Sequence, residues 1–165
     1  MTQQETTVRW RDPAPALSAL PKLSGIDFMS KMAAGELPGA PMASHFGMEV
    51  VEVESGAVTF RCTPDASHYN PVGTVHGGLV CTLLDSALGC ATHTTLPAGM
   101  GYTSIEIKVN YLRPLSAGNG ALTARGRVTK PGRRVTFAEG EVLDGQGRVV
   151  ATASGSLLIF PLQDS

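Results

Sequence analysis

The stretch NPVGTVHGGLVCTLLDSALG, residues 70–89, contains an apolar run with a single acid, Asp85, in its middle. Placed at about 100° per residue, as in an α-helix, the large apolar side chains fall on one broad stripe. Asp85 lies off the edge of that stripe, on a flank of small residues. The pattern predicts a helix over about 76–93 that buries one side on its own sheet and presents the other to a partner or ligand. The stripe consists of Leu79, Val80, Leu83, Leu84, Ala87, Leu88 and Ala91, and the flank of Gly78, Gly89 and Thr92.

The start of this helix is the second feature that could take part in binding or catalysis. The first backbone N–H groups of a helix have no partner within the helix, and the helix dipole adds partial positive charge there. Gly77 and Gly78 have no Cβ to keep a ligand away from these donors. The arrangement suits an anion, or a carbonyl oxygen that becomes one in a transition state. Close packing against a strand is the alternative reason for two glycines.

Gly77 and Asp85 are eight residues apart, which places them about 12 Å apart along a helix that rises ~1.5 Å per residue. A nucleophile and an oxyanion donor must both lie about 3 Å from one reacting atom. The two residues of one chain therefore serve different purposes, or two copies of the helix pair antiparallel. The second option predicts an obligate dimer with two sites across its interface.

Most of the remaining sequence is typical of antiparallel strands. MEVVEVE and AVTFRCT flank a turn at Ser55 and Gly56, and GYTSIEIKVNYLRP alternates apolar and polar residues. Three more strand-like segments are joined by KPGR and DGQG turns. One long helix among five or six antiparallel strands predicts an α+β fold. Before it, residues 1–21 are expected to form a loose arm and residues 24–34 a short helix. The alternating face consists of Ile105, Ile107, Val109 and Tyr111.

The composition limits the classes of function. The 165 residues indicate one main domain, and 42% hydrophobic against 16% charged residues favours a subunit interface. A formal net charge of −1 gives no electrostatic case for nucleic acid, and no apolar run is long enough to span a membrane. Three cysteines without a CxxC motif suit the reducing cytoplasm. His45, His68 and His93 lack metal-ligand spacing, and no G-x-S-x-G elbow is present, so neither a metal site nor a serine triad is expected.

The motif around the helix start resembles that of hotdog-fold acyl-CoA thioesterases of the phenylacetate-degradation (PaaI) and 4-hydroxybenzoyl-CoA thioesterase type. The matching features are Asn70, Gly73, the His76-Gly77-Gly78 triplet, Asp85 and the later NYLRP segment. The resemblance implies a long helix wrapped by a curved antiparallel sheet, paired into dimers and often tetramers. It covers about residues 47–160, so that residues 1–44 form an N-terminal arm with a short helix and 45–165 the hotdog domain.

By position, the resemblance implies a role for each matching residue in thioester hydrolysis. The Gly77 N–H would polarise the thioester carbonyl, and Asp85 of the neighbouring subunit would be the nucleophile or general base. Asn70 would place the attacking water or the carbonyl, unless it only forms the turn before Pro71. His76 would support the turn geometry and Asn70. Ser104 would hydrogen-bond near the carboxylate.

The sequence says less about the substrate and does not exclude two competing functions. Coenzyme A is part of the substrate, so no cofactor is expected. Gly78 could contact the substrate at the helix start, and basic side chains are candidates for the CoA phosphates, with solvated surface charge as their alternative role. An enoyl-CoA hydratase or dehydratase, and a non-catalytic acyl-CoA-binding module, remain the competing functions. Nothing in the sequence identifies the acyl group, although several methionines could line an adaptable pocket or simply fill the core. The basic candidates are Arg113, Lys130, Arg133 and Arg134, and the methionines are Met29, Met32, Met42, Met48 and Met100.

Overall fold

The computed structural model describes residues 2–162, which form four α-helices and six β-strands. Residues 1 and 163–165, at the ends of the two predicted regions, lie outside the described residues. The helices are α1 (Ala14–Ala19), α2 (Gly25–Ala33), α3 (Pro41–His45) and α4 (Gly77–His93). The strands are β1 (Met48–Glu54), β2 (Ala57–Cys62), β3 (Met100–Tyr111), β4 (Leu122–Lys130), β5 (Val135–Leu143) and β6 (Val149–Pro161).

All six strands form one antiparallel sheet in the order β1-β2-β4-β5-β6-β3. Helix α4 crosses one face of this sheet and is closest where the strands carry glycine. A Cβ on Gly126 of β4 would lie 2.3 Å from the carbonyl oxygen of Ala87, so only glycine lets the helix backbone approach this far. The prediction of an α+β hotdog fold, with one long helix against a six-stranded sheet, is confirmed.

Helix α4 has the bounds and the buried stripe that the sequence predicts. It begins at Gly77, and all seven apolar positions of the stripe are buried in the core. His76 is the N-cap: its side chain accepts a hydrogen bond from the Gly78 N–H at 2.8 Å. The cap satisfies one of the donors that every helix start leaves free.

The flank of α4 beyond Asp85 differs from the prediction of an open, small-residue surface. Gly89 and Thr92 are both buried, and a Cβ on Gly89 would lie 2.6 Å from the Tyr102 ring. The small residue therefore accommodates an aromatic side chain of β3 in the same chain. Only the first half of the flank, at Gly78 and Asp85, is exposed.

Strand β3 lies at the edge of the sheet and keeps one long side unpaired within the chain. A bulge between Ser104 and Glu106 interrupts its regular alternation, so Ile105 does not share one face with Ile107 as predicted: Ile107 packs against the core and Ile105 does not. Ile105 is 54% exposed and Tyr111 56% exposed. Edge strands with exposed apolar side chains are typical surfaces for pairing with another chain.

The N-terminal region is more ordered than the predicted loose arm. Helix α1 begins after Asp12, whose carboxylate accepts a hydrogen bond from the Ala14 N–H, and Pro15 in its first turn is compatible with a helix start. Ala16 of α1 is part of the hydrophobic core. The predicted helix over 24–34 is confirmed as α2, capped by the Ser24 hydroxyl. Helix α3 was not predicted, and it spans the expected boundary at residue 44.

Candidate active site

The side chains of Asp85 and Ser104 are in contact on the exposed side of α4. Asp85 projects from the middle of α4, and the Ser104 hydroxyl on β3 donates a hydrogen bond to its Oδ1 at 2.7 Å. The bulge of β3 begins at Ser104, next to this contact. A hydroxyl that donates to a carboxylate both orients it and occupies one of its lone pairs. The second oxygen, Oδ2, accepts no hydrogen bond from any side chain or backbone group within residues 2–162.

Asp85 and Ser104 line a cavity of about 400 Å³. Its walls are mostly apolar and come from α2, α3, the first three strands and α4. Three of the five methionines named from the sequence lie there, whereas Met29 lines a neighbouring cavity and Met100 lines neither. One oriented carboxylate in an apolar recess is typical of a site that binds an apolar group and performs chemistry at its edge. The lining includes Met32, Met42, Met48, Phe60, Cys90 and Tyr102.

The start of α4 forms a separate recess of about 280 Å³, in which Gly77 lies against Tyr111. The Tyr111 hydroxyl donates a hydrogen bond to the Gly77 carbonyl at 3.0 Å, and a Cβ on Gly77 would lie 3.1 Å from the Tyr111 ring. A Cβ on Gly78 would lie 2.9 Å from Nδ1 of His76. Gly77 therefore makes room for a side chain of β3, as close packing against a strand requires, whereas Gly78 makes room for the capping His76 side chain. Within residues 2–162 the Gly77 N–H donates to no acceptor, so it is available to a ligand.

Asn70 and His76 are occupied by the loop that leads into α4. The Asn70 side-chain oxygen accepts from the N–H groups of Val72 and Thr74, and its amide donates to the Thr74 hydroxyl at 2.9 Å. The His76 N–H donates to the carbonyl of His68. Among the described residues no hydrogen bond joins His76 directly to Asn70, so the expected support of Asn70 by His76 stays a prediction. Both residues shape the loop and the helix start.

The catalytic candidates thus fall into two separate groups, here called half-sites. The Asp85 half-site consists of Asp85 and Ser104, and the Gly77 half-site of Gly77, Tyr111 and the recess around them. Because α4 is continuous between Gly77 and Asp85, the two are separated by about 12 Å along its axis. The two recesses share no lining residue.

Of the basic candidates, only Arg113 lies beside a half-site. It lines the Gly77 recess, and its guanidinium donates to the carbonyl of Val149. Lys130, Arg133 and Arg134 are exposed around the connection between β4 and β5, and none lines either recess.

Three aromatic residues of the site region were not among the catalytic or substrate-binding candidates from the sequence. Tyr111 donates a hydrogen bond to the Gly77 carbonyl, and the Tyr102 ring packs against Gly89. His93 lies between Phe28 and Tyr102 in the interior. The NYLRP motif contains Tyr111 and is the only local signal for any of them, because the other two depend on contacts between distant parts of the chain.

Burial disfavours the thiolate form of all three cysteines. Burial raises the pKa of the Cys90 thiol to about 12 and that of Cys62 to about 11, and it also raises the pKa of Cys81. All three are free thiols. Within residues 2–162 no group of three or more potential ligands lies close enough to hold a metal ion, and no helix is long and apolar enough to cross a membrane.

Comparison with known proteins relates this architecture to one family. The model of the thioesterase superfamily matches residues 72–151. A Halobacterium salinarum protein provisionally named an esterase is 31% identical over 130 residues, which cover 72% of this chain and 84% of that protein. The acyl-coenzyme A thioesterase PaaI of Escherichia coli is 26% identical over 113 residues, 68% of this chain and 78% of that protein.

A solved structure supports the same relationship. The crystal structure of a phenylacetic acid degradation-related protein from Ralstonia eutropha JMP134 superimposes with a TM-score of 0.72 and 30% identity, covering 78% of this chain and 97% of the other. The family match contains the whole of α4 and therefore both Gly77 and Asp85. Through this match, and through relatives that align along most of their length, the chain belongs to the thioesterase superfamily and to its PaaI-type hotdog enzymes.

Proposed function

We propose that the protein hydrolyses an acyl-CoA thioester to a carboxylic acid and CoA, at sites that each combine the Asp85 half-site of one protomer with the Gly77 half-site of another. The observation that carries this proposal is the Asp85 carboxylate, oriented by Ser104 at the edge of an apolar recess. The named activity of relatives such as the E. coli PaaI thioesterase agrees with it.

In the proposed reaction the thioester carbonyl oxygen accepts a hydrogen bond from the Gly77 N–H at the positive end of α4. Asp85 then either attacks the carbonyl carbon, which forms a mixed anhydride that water cleaves, or removes a proton from the attacking water. In both routes the C–S bond breaks and the CoA thiolate takes up a proton. Ser104 keeps one carboxylate oxygen oriented while the other, Oδ2, acts.

Single turnover in heavy-oxygen water distinguishes the two routes. Attack by Asp85 transfers the first labelled oxygen into the enzyme carboxylate when the anhydride is cleaved there. General-base catalysis puts the label only into the acid product. Mass spectrometry of the peptide that contains Asp85 is the direct readout.

The edge strand β3 offers a physical route to such a dimer. It carries Ser104 beside Asp85 and Tyr111 beside Gly77, so both half-sites lie along one unpaired edge. If two β3 strands pair antiparallel about a two-fold axis near Ile107 and Lys108, Ser104 of one strand faces Tyr111 of the other. The exposed Ile105 and Tyr111 side chains would be covered in the same step. A tetramer of two such dimers remains a prediction.

For the CoA phosphates we favour Arg113, because it lies beside Gly77, where the thioester would bind. Lys130, Arg133 and Arg134 could contribute only if the CoA extends to the connection between β4 and β5. An Arg113→Ala variant should raise KM and reduce the dependence of KM on salt. An Arg133→Ala/Arg134→Ala variant with unchanged KM would exclude that pair from CoA binding.

We also propose a cytoplasmic location, with which the three free thiols agree.

The test is release of free thiol from a panel of acyl-CoAs with short, medium and aromatic acyl groups. Wild type should release thiol, and Asp85→Asn should reduce kcat by several orders of magnitude with an unchanged circular dichroism spectrum. Glu54→Gln, which alters an exposed carboxylate on β1, is the matched control. Tight binding without thiol release would instead favour a binding module, and addition of water to an enoyl-CoA would favour a hydratase.

A further inference from the structure

The peptide group between Gly77 and Gly78 is held at both of its polar ends by side chains. Its carbonyl oxygen accepts a hydrogen bond from the Tyr111 hydroxyl at 3.0 Å. Its N–H, which belongs to Gly78, donates to Nδ1 of His76 at 2.8 Å. Because a peptide group is planar, contacts at its two ends fix the orientation of the whole unit. Two side chains therefore clamp the first turn of α4.

The clamp lies where the helix is otherwise least constrained. Glycine has more backbone freedom than any other residue, and Gly77 and Gly78 follow each other at the start of α4. The first N–H groups of a helix also lack partners within the helix. Without the contact to Tyr111, these two residues could leave the helical conformation at little cost. An N–H in such a segment would be a poorly oriented donor.

Gly77 itself is restrained on both sides. A Cβ on Gly77 would lie 3.1 Å from the Tyr111 ring, so the ring packs directly against the Gly77 backbone. The carbonyl of His76, in the peptide group that contains the Gly77 N–H, accepts from the Leu79 N–H at 3.0 Å. Of the four polar groups in these two peptide units, only the Gly77 N–H has no partner within residues 2–162.

Tyr111 is suited to hold this position at neutral pH. Burial raises the pKa of Tyr111 above its usual value, so the hydroxyl keeps the proton that it donates. Tyr111 is also the last residue of β3, the edge strand on which the proposed dimer pairs. The Gly77 N–H is thereby anchored to the same strand that carries Ser104 of the other half-site.

Resting on the proposed thioester hydrolysis, we infer that Tyr111 is a positioning residue that acts through Gly77. Its hydroxyl holds the first turn of α4 so that the Gly77 N–H is already oriented towards the thioester carbonyl oxygen when the substrate binds. A preorganised donor is effective because it needs no reorientation as negative charge develops on that oxygen. Tyr111 takes no part in the chemical step.

The first test is Tyr111→Phe, which removes the hydroxyl and keeps the ring. In the thiol-release assay kcat should fall by about tenfold, with little change in KM. Tyr69→Phe is the matched control, because its hydroxyl accepts from the Ala117 N–H and Tyr69 lines neither recess. It should leave kcat unchanged. A higher KM with unchanged kcat in Tyr111→Phe would indicate substrate binding and overturn the positioning role.

A double-mutant cycle with Gly77→Pro tests whether Tyr111 acts through the Gly77 N–H. No N–H remains to be positioned in that background, so Tyr111→Phe should lower kcat by less than about twofold. The same reduction of about tenfold in both backgrounds would show an independent effect and overturn the inference. In Gly77→Ala, which adds a Cβ and keeps the N–H, the full reduction should return. Its absence there would attribute the coupling to the Cβ contact and overturn the inference as well.

Amide exchange with solvent, measured by NMR, tests the clamp without substrate. Loss of the Tyr111 hydroxyl should speed exchange of the Gly78 N–H by about tenfold, because the first turn of α4 then opens more often. Tyr69→Phe should leave this rate unchanged. An unchanged rate in Tyr111→Phe would overturn the clamp, whatever reaction the protein catalyses.

The outcomes separate this inference from the proposed function. If wild type releases thiol and Tyr111→Phe retains kcat within about twofold, the positioning role is overturned and thioester hydrolysis stands. If wild type releases thiol from no acyl-CoA, the proposed function is overturned and the positioning role with it.

Discussion

If each site is shared between two protomers, two inactive variants should restore activity to one another in a mixed dimer. Asp85→Asn removes the carboxylate from one half-site, and Gly77→Pro removes the N–H from the other. In the mixed dimer one site receives both lesions, whereas the second combines an intact Asp85 with an intact Gly77. If both residues act on one carbonyl, they must come from different protomers, because about 12 Å of helix separates them in one chain.

Gly77→Pro is a selective lesion because proline fits the backbone at this position. Gly77 is the first residue of α4, where proline is favoured, and His76 has the extended conformation (φ −62°, ψ 132°) that proline requires before it. Loss of one oxyanion donor should reduce kcat by roughly 10²–10³. Gly77→Ala is the matched control, since it makes the same Cβ contact with Tyr111 and keeps the N–H.

The assay is thiol release by heterodimers purified through a different tag on each variant. With one of two sites intact, the heterodimer should have about half the activity of a wild-type dimer, and an unsorted equal mixture about a quarter. Each variant alone should retain below about one per cent. A purified heterodimer no more active than its parents would refute the shared site.

Three further predictions concern single residues. Ser104→Ala should lower kcat by about ten- to a hundredfold with little change in KM, because a hydrogen bond to the charged Asp85 is worth about 1.5–3 kcal/mol; steady-state kinetics are the measurement. Burial lowers the pKa of His93, so below about pH 6.5 the unfolded state binds more protons than the folded state. The free energy of unfolding should therefore fall with acidification by up to ~1.4 kcal/mol per pH unit. Urea unfolding at several pH values should show a flatter slope for His93→Phe. Gly126→Ala should destabilise by about 1–3 kcal/mol or more, because its Cβ would overlap the backbone of α4. Gly118→Ala, with ordinary space around it, should change the melting temperature little.

Local sequence patterns are sufficient to predict the central helix and the strands. The spacing of apolar residues along 77–93 matches helix geometry, so the sequence alone predicts which side of the helix is buried. The distance from Gly77 to Asp85 follows from the same geometry. The contact of Ser104 with Asp85 could be expected only through the family resemblance, because it joins a strand to a helix.

The remaining features depend on contacts that no local pattern encodes. The tyrosine rings of β3 cover glycines of α4, which is why Gly89 is buried although its position on the helix suggested an open flank. The bulge at Ser104 shifts Ile105 by one position and depends on pairing with β6. Helix α1 is short and contains proline, and its stability comes from burial of Ala16 against the core, a tertiary effect.

The recess next to Asp85 has walls from α4, from the first three strands and from the N-terminal segment of residues 32–43. Substitutions in that N-terminal segment can therefore reshape the space for a ligand without touching the carboxylate or the start of α4. If the acyl group binds in this recess, its selectivity can change while the residues of the chemical step stay the same. Grafting this N-terminal segment onto a relative that lacks it would transfer selectivity while the recipient keeps its own catalytic residues.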